Sequence, residues 1–216
     1  MSDASKPEAM SGHGVVRAPR RVVLTGGPGA GKTAVLEVVR KHLGDRVAVL
    51  PESAGIVYGG GFPRRPTPSC RRAAQLAIFH VQDQLERLAL EESPEPLVLC
   101  DRGVIDGLAY WPGEPEEFFS AAGTTRAEAL ARYHAVVHLH TPPADGGYDH
   151  SNPLRVETPE EAALLDARLV SAWEGHPRRY FIQSEADFIE KLQRALAILR
   201  GEAEACDEAA RLAPFA

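Results

Sequence analysis

The chain has 216 residues, of which 44% are hydrophobic and 25% charged, and its 30 acidic and 24 basic side chains give a formal net charge of −6. This length suits one α/β domain with a full core and leaves little room for a second. The acidic balance argues against non-specific nucleic-acid binding, and no apolar run approaches the roughly 18 residues that a membrane span needs. The three cysteines lie far apart and favour a reducing, cytoplasmic location.

The chain begins with a segment rich in Ser, Gly, Pro and Ala, and we expect residues 1–19 to form a disordered tail. One domain is predicted over residues 20–200, followed by a C-terminal tail over residues 201–216. Residues 21–25 are rich in β-branched side chains and are predicted as the first buried strand. Residues 34–43 carry apolar side chains at helical spacing and are predicted as the first helix.

The octapeptide between this strand and this helix fits the phosphate-binding pattern G-x-x-x-x-G-K-[ST]. Its residues are Gly26, Gly27, Pro28, Gly29, Ala30, Gly31, Lys32 and Thr33. The glycines let successive N–H groups curve round a phosphate, and the helix start adds the positive end of its dipole. Lys32 is expected to reach the terminal phosphates, and the Thr33 hydroxyl to ligate Mg²⁺. The sequence therefore predicts a site for Mg²⁺ with ATP or GTP, against the alternative of a glycine-rich turn without a ligand.

Further strands and helices alternate along the rest of the chain. Strands are predicted over residues 46–50, 96–100, 135–140 and 180–182. Helices are predicted over residues 71–91, 103–110, 159–173 and 186–199, with two short helical pieces in 114–133. Residues 55–68 are rich in glycine and proline and are predicted as a mobile loop. This alternation predicts an α/β fold with a parallel sheet of about five strands and right-handed crossovers.

Two carboxylates come just after predicted strands. Asp101 directly follows the third strand, where a carboxylate holds Mg²⁺, although a residue there also caps a following helix. Glu52 follows the second strand and is a candidate base for an acceptor hydroxyl, with a solvated loop carboxylate as the alternative. Because ligands bind at the carboxyl ends of parallel strands, we expect both side chains to converge with the glycine loop.

Arginines supply the candidate groups for stabilising phosphate charge. Arg102 is expected either to clamp a phosphate or to form a surface ion pair. Arg155, beyond the fourth strand, is the candidate arginine of a lid that closes over the transferring phosphate. Arg168, Arg178 and Arg179 compete with it for that role.

Glutamine and histidine pairs share faces of predicted elements. Gln75 and Gln82 lie seven residues apart on one long helix, and a glutamine there is able to recognise a base or amide edge, although surface glutamines are more common. His138 and His140 alternate along the fourth strand and therefore lie on one face. A structural role is the default interpretation of both histidines.

Three segments, GGPGAGKT, VLPESA and LVLCDRG, occur in this order and together resemble the nucleoside-kinase-like group of P-loop proteins. The segments CDRGVIDGLAYW and NPLRVETPEEAALLDARLVSAWEGHP are similar to the NadR-like AAA-domain family of P-loop NTPases, and the resemblance covers about residues 20–200. It implies a P-loop three-layer sandwich with a five-stranded core, ATP or GTP, Mg²⁺ and a helical lid. In this resemblance Arg155, Glu157, Glu161 and residues 173–176 match the lid and the helix after it.

Two functions are compatible with these motifs. The first is a Mg²⁺-dependent phosphotransferase that moves the γ-phosphate of a nucleoside triphosphate to a hydroxyl of a small molecule, for which a nucleoside is one candidate. In this function Lys32, Arg102 and Arg155 stabilise charge, Thr33 and Asp101 hold Mg²⁺, and Glu52 is the base.

The second function is an ATP- or GTP-hydrolysing regulatory switch that binds a protein or lipid partner. The chain has no N-K-x-D motif, which argues against a Ras-like GTPase. Arg102 stands where motor ATPases commonly carry glutamate, which argues against a ring-forming motor. No basic stripe supports a kinase of nucleic-acid ends, and the sequence leaves the acceptor and the oligomeric state open.

Overall fold

Five strands form one parallel sheet in the order β2-β3-β1-β4-β5. The structure is a computed structural model and describes residues 19–142, 158–184 and 188–211. The strands are β1 (Arg20–Thr25), β2 (Val47–Leu50), β3 (Leu97–Asp101), β4 (Ala135–Leu139) and β5 (Arg179–Ile182). The predicted α/β class and the five-stranded parallel sheet are confirmed.

Seven α-helices flank the sheet in the described part of the chain. They are α1 (Lys32–Leu43), α2 (Ser53–Gly59), α3 (Pro68–Glu92), α4 (Pro115–Ala121), α5 (Arg126–Ala131), α6 (Pro159–Ala172) and α7 (Phe188–Arg211). A 3₁₀ helix, Val104–Tyr110, follows β3. None of the described helices combines the length and the apolar character that crossing a membrane requires.

Alternating side chains of the central strand face two separate cores. Val22 and Leu24 of β1 pack with buried residues of α1 and α7, whereas Val23 faces Phe118 and Trp173 on the other side. Because successive strand residues point to opposite faces of the sheet, the apolar residues of this one strand pack into both cores. The sheet therefore lies between two helical layers, as the predicted three-layer sandwich requires.

Helix α2 occupies part of the segment that was predicted as a mobile loop. Ser53 is 2% exposed and its hydroxyl donates a hydrogen bond to Gln82 Oε1 of α3, at 2.5 Å. Val57 is also buried. Glycine has low helix propensity, but these contacts with α3 outweigh it over residues 53–59, and the loop prediction is wrong there. The chain leaves α2 through Gly61, which has a φ of 91°.

The last helix continues well beyond its predicted end at residue 199. Ala203 and Cys206 are buried, and Glu202 Oε1 accepts hydrogen bonds from the Tyr180 hydroxyl and pairs with Arg178, both at 2.8 Å. Residues 201–211 therefore belong to the domain, and the predicted C-terminal tail from residue 201 is corrected. The apolar spacing of Ala195, Leu199 and Ala203 was the available signal. Residues 1–18 of the predicted N-terminal tail lie outside the described residues.

The extension of α7 predicts a strong sensitivity at Ala203. Ala203→Asp places an uncompensated carboxylate in the core and should lower the free energy of unfolding by about 3–5 kcal/mol. Gly201→Asp introduces the same side chain two residues earlier, where a Cβ meets nothing within 4 Å, and should leave stability almost unchanged. Urea unfolding of both variants is the measurement, and equal stabilities would contradict the packing of this part of α7.

Candidate functional site

The glycine loop between β1 and α1 has a backbone that other residues do not adopt without strain. Gly26, Gly29 and Gly31 have φ angles of 141°, 77° and 93°. A Cβ on Gly26 would also lie 2.1 Å from the Leu139 carbonyl oxygen at the end of β4. Both the turn and the close approach to β4 therefore require glycine, as the P-loop interpretation predicts.

Lys32 closes the loop from the first residue of α1. Its Nζ donates to the carbonyl oxygens of Gly26, at 2.8 Å, and of Gly27, at 3.2 Å. Burial and the positive charge of Arg102 lower the pKa of Lys32 to about 8, although the negative charge of Asp101 favours the protonated form. Thr33 follows on the exposed side of α1. The ammonium group thus has only neutral carbonyl partners in the loop that is predicted to receive phosphate.

Asp101 lies beside β1, in register with Leu24. Its Oδ1 is buried and has no hydrogen-bond partner in the described part of the chain. Burial raises the pKa of Asp101 from 3.8 to about 6. The positive charge of Lys32 opposes this rise, and the negative charge of Glu52 adds to it. A buried carboxylate oxygen without a partner fits a hard cation such as Mg²⁺, which prefers oxygen ligands. Asp101 and the Thr33 hydroxyl are the predicted ligands.

Arg102 is mostly buried and forms ion pairs with two carboxylates. Its Nε donates to Glu52 Oε1 at 2.7 Å, and its Nη1 donates to Asp106 Oδ2 at 3.2 Å. Its φ of 70° is the single left-handed conformation of a non-glycine residue in the described ranges. Burial raises the pKa of Glu52, but the charges of Arg102 and Lys32 outweigh burial and lower it, so this carboxylate stays ionised at neutral pH.

Asp106 is a site residue that sequence reasoning missed. It is 3% exposed and accepts hydrogen bonds from the Thr25 hydroxyl at 2.7 Å and from Trp173 Nε1 at 2.6 Å, besides the contact with Arg102. Its position four residues after Arg102, on the short helix after β3, was the available signal. Asp106 thereby fixes Arg102, and through it Glu52, relative to the end of β1.

A cavity of about 590 Å³ opens beside the P-loop and brings together Pro28, Glu52 and Arg102. Gln75 and Gln82 both line it, which confirms that they share one face of α3. The Gln82 amide is engaged by Ser53 and by Glu86. The rest of the wall comes from α2, the loop after it, α3 and the 3₁₀ helix, and includes Tyr58, Phe62, Arg64 and Tyr110.

The predicted lid arginine, Arg155, lies outside the described residues, as does Glu157. Among its competitors, Arg178 and Arg179 lie where β5 begins, at the amino-terminal ends of the parallel strands, whereas the P-loop follows the carboxyl-terminal end of β1. Arg168 lines an open surface depression together with Trp111 and Arg126. The structure therefore does not bring Arg168, Arg178 or Arg179 to the P-loop.

A second polar cluster contacts the P-loop from the side of β4. His138 Nε2 lies 2.9 Å and His140 Nδ1 lies 2.7 Å from the two oxygens of Asp166, which confirms that the histidines share a face. Gly27 N donates to Asp166 Oδ1 at 2.9 Å. The ligand atoms of the three side chains lie within 4.8 Å of one another, which makes them a candidate metal set among the described residues.

The raised pKa of Asp101 predicts a pH-dependent cost to stability. Between pH 4 and 6 the folded protein retains a proton that the unfolded chain releases, so stability falls as pH rises through this window. Asp101→Asn removes that cost and should be more stable than the wild type above pH 6, by on the order of 1–3 kcal/mol, with the difference vanishing below pH 4. Urea unfolding in a chelator at several pH values measures this. A variant less stable than the wild type at every pH would instead identify Asp101 as a helix cap.

Two solved structures of deoxyadenosine kinase from M. mycoides are similar to this chain. The structure with the products dCMP and a flexible dCDP has a TM-score of 0.55 at 13% sequence identity, and covers 84% of this chain and 99% of that chain. The structure with bound dATP has a TM-score of 0.57 at 12% identity, with the same coverage. At these identities the likeness establishes the fold alone.

Among curated proteins no match is found. A family model described as an AAA domain matches residues 21–191, which is most of the chain and includes the P-loop, Glu52, Asp101 and Arg102. The family match, the glycine geometry of the loop and the nucleoside-kinase-like fold agree with one another. The chain belongs to the AAA-domain family.

Proposed function

We propose that the chain is a Mg²⁺-dependent phosphotransferase that moves the γ-phosphate of ATP or GTP to a hydroxyl of a small molecule, with a nucleoside as the favoured class. The observation that carries this proposal is the cavity that Glu52 and Arg102 share with Pro28 of the P-loop. An acceptor in that cavity lies next to the loop that binds phosphate and next to an ionised carboxylate.

The cavity has the size and chemistry of a small-molecule site. Its volume of about 590 Å³ lies within the range of roughly 300–1,000 Å³ that is typical of ligand pockets. Tyr58, Phe62 and Tyr110 offer aromatic surface for a ring. The side-chain amide of Gln75 makes no hydrogen bond with the described part of the chain, so it is available to donate to and accept from a base or amide edge. This combination favours a nucleoside over an acceptor without a ring.

Glu52 is the group best placed to accept the proton of the attacking hydroxyl. Its side chain is 40% exposed and lines the cavity, while the hydrogen bond from Arg102 fixes one carboxylate oxygen. The pKa of Glu52 is held below its ordinary value, so the carboxylate is in the form that accepts a proton at neutral pH. As the hydroxyl oxygen attacks the γ-phosphorus, its proton passes to Glu52, the bond from this phosphorus to the β–γ bridging oxygen breaks, and the nucleoside diphosphate leaves.

The cationic groups would stabilise the charge that redistributes during transfer. Lys32 would exchange the carbonyls of Gly26 and Gly27 for phosphate oxygens, which are stronger partners because they are charged. Mg²⁺, held by Thr33 and Asp101, would neutralise phosphate charge. From the sequence, Arg155 remains the candidate for closing over the transferring phosphate.

The competing proposal, a regulatory switch, differs in having no acceptor. A switch requires a nucleotide site and a partner surface, but it does not require an ionised carboxylate in a separate cavity beside the P-loop. The cavity is the feature that favours the phosphotransferase.

Removal of the proposed base tests the proposal directly. Glu52→Gln keeps the shape of the side chain but abolishes its ability to accept a proton, so transfer to the acceptor should fall by roughly 10²–10⁴-fold. Nucleotide affinity should stay close to that of the wild type, because the proposed contact of Glu52 is with the acceptor. Glu37→Gln on the exposed side of α1 is the matched control and should transfer at the wild-type rate.

The assay follows phosphorylated product across a panel of nucleosides, with slow hydrolysis in the absence of acceptor as the baseline. If no acceptor is phosphorylated and Glu52→Gln hydrolyses nucleotide like the wild type, the phosphotransferase proposal is wrong and the switch is favoured.

A further inference from the structure

We infer that Asp166 is a positioning residue for Lys32, and that it acts through the single peptide unit that joins Gly26 to Gly27. The inference rests on the P-loop binding nucleotide phosphate, and it does not depend on which acceptor is used.

The peptide unit between Gly26 and Gly27 is held from both sides. Its N–H, on Gly27, donates to Asp166 Oδ1 at 2.9 Å. Its carbonyl oxygen, on Gly26, accepts from Lys32 Nζ at 2.8 Å. In a trans peptide the N–H and the C=O point in opposite directions, so the carboxylate and the ammonium group lie on opposite sides of one rigid plane. Any rotation of that plane moves the atom that anchors Lys32.

The surroundings of Gly27 leave that plane little freedom. A Cβ on Gly27 would lie 2.4 Å from Thr141 Oγ1 and 3.1 Å from the Ala162 carbonyl oxygen. Thr141 Oγ1 also donates to the Pro28 carbonyl oxygen at 3.2 Å. The loop is thus packed against the end of β4 and against α6, and Asp166 supplies the charged contact in that packing.

Asp166 is itself fixed in orientation and ionisation. His138 is buried, and the two imidazoles engage both carboxylate oxygens, which determines how the carboxylate faces Gly27. Burial raises the pKa of Asp166, but the hydrogen bond and charge of His138 and the hydrogen bonds from His140 and Gly27 outweigh burial and lower the pKa to about 2. The carboxylate therefore stays negative at neutral pH, and a charged acceptor binds an N–H about twice as strongly as a neutral one.

The same three side chains are also a candidate metal set, but their contacts favour the positioning role. Both oxygens of Asp166 are already engaged at hydrogen-bond distances, so a cation would have to displace these bonds. Lys191 Nζ lies 2.5 Å from the His140 carbonyl oxygen and is attracted by the charge of Asp166, which places a positive group close by. Hydrogen bonding alone accounts for the arrangement.

The contact between Asp166 and Gly27 also connects the P-loop to helix α6. Asp166 lies on α6, the helix that matches the one after the lid in the family resemblance. A change in the position of α6 would therefore be transmitted to Lys32 through one hydrogen bond and one peptide plane.

A double-mutant cycle separates positioning of Lys32 from a general structural role. Asp166→Asn retains the shape of the side chain, but it loses the negative charge and replaces one hydrogen-bond acceptor of an imidazole by a donor. Binding of Mg²⁺–ATP or Mg²⁺–GTP, measured by calorimetry, should therefore weaken about fivefold. In the Lys32→Ala background the same substitution should change affinity less than about 1.5-fold, because the group it positions is gone. Asp83→Asn is the matched control, because it removes a buried carboxylate that pairs with Arg132 away from the P-loop. It should lower thermal stability and leave nucleotide affinity unchanged.

Four outcomes overturn the inference. Equal losses of affinity in the two backgrounds would make Asp166 merely structural, and unchanged or tighter binding in Asp166→Asn would remove any role in positioning. Stoichiometric Zn²⁺ binding by the chelator-treated wild type that Asp166→Asn abolishes would assign the cluster to a metal. Absence of nucleotide binding by the wild type would overturn the proposed function as well, whereas the other outcomes leave that function standing.

Discussion

The buried carboxylate of Asp106 is the contact on which the geometry of the candidate site depends. It accepts hydrogen bonds from the end of β1 through Thr25, from the residue after β3 through Arg102, and from the residue after α6 through Trp173. A buried carboxylate without such partners would be strongly destabilising, so these donors are required and their positions are fixed together. Because Arg102 also holds Glu52, one interior group sets the distance between the P-loop strand and the proposed base.

The charges around the P-loop are arranged for a ligand rather than for stability. Burial lowers the pKa of Lys32 to about 8 and raises that of Asp101 to about 6, so each group is less stable in its charged form than it would be in water. A bound phosphate would favour the charged lysine, and a bound Mg²⁺ the charged aspartate. Shifts of this kind in a cleft are typical of functional sites. The free energy lost in the unliganded protein would thus be recovered as affinity for the nucleotide complex.

Local patterns in the sequence were sufficient for much of this site. The P-loop is contiguous, Asp101 ends an apolar strand and Glu52 comes just after another, so the parallel sheet alone brings them to the same end of the strands. Contacts between distant segments were not predictable in this way. The hydrogen bond from Gly27 to Asp166 joins residues 139 positions apart, and that between Thr25 and Asp106 joins residues 81 apart. Helix α2 was missed for the same reason, since its burial against α3 outweighs a glycine-rich composition.

The proposed phosphotransferase function requires that the γ-phosphate pass to a hydroxyl in the cavity and not to water. The most direct measurement is a reaction in ¹⁸O-labelled water with Mg²⁺, ATP or GTP and a nucleoside panel, with mass spectrometry of all phosphate-containing products. A phosphotransferase should yield a phosphomonoester of one nucleoside that carries no ¹⁸O, formed faster than inorganic phosphate. Nucleotide consumption that no nucleoside accelerates, with one ¹⁸O atom in every phosphate released, would contradict it.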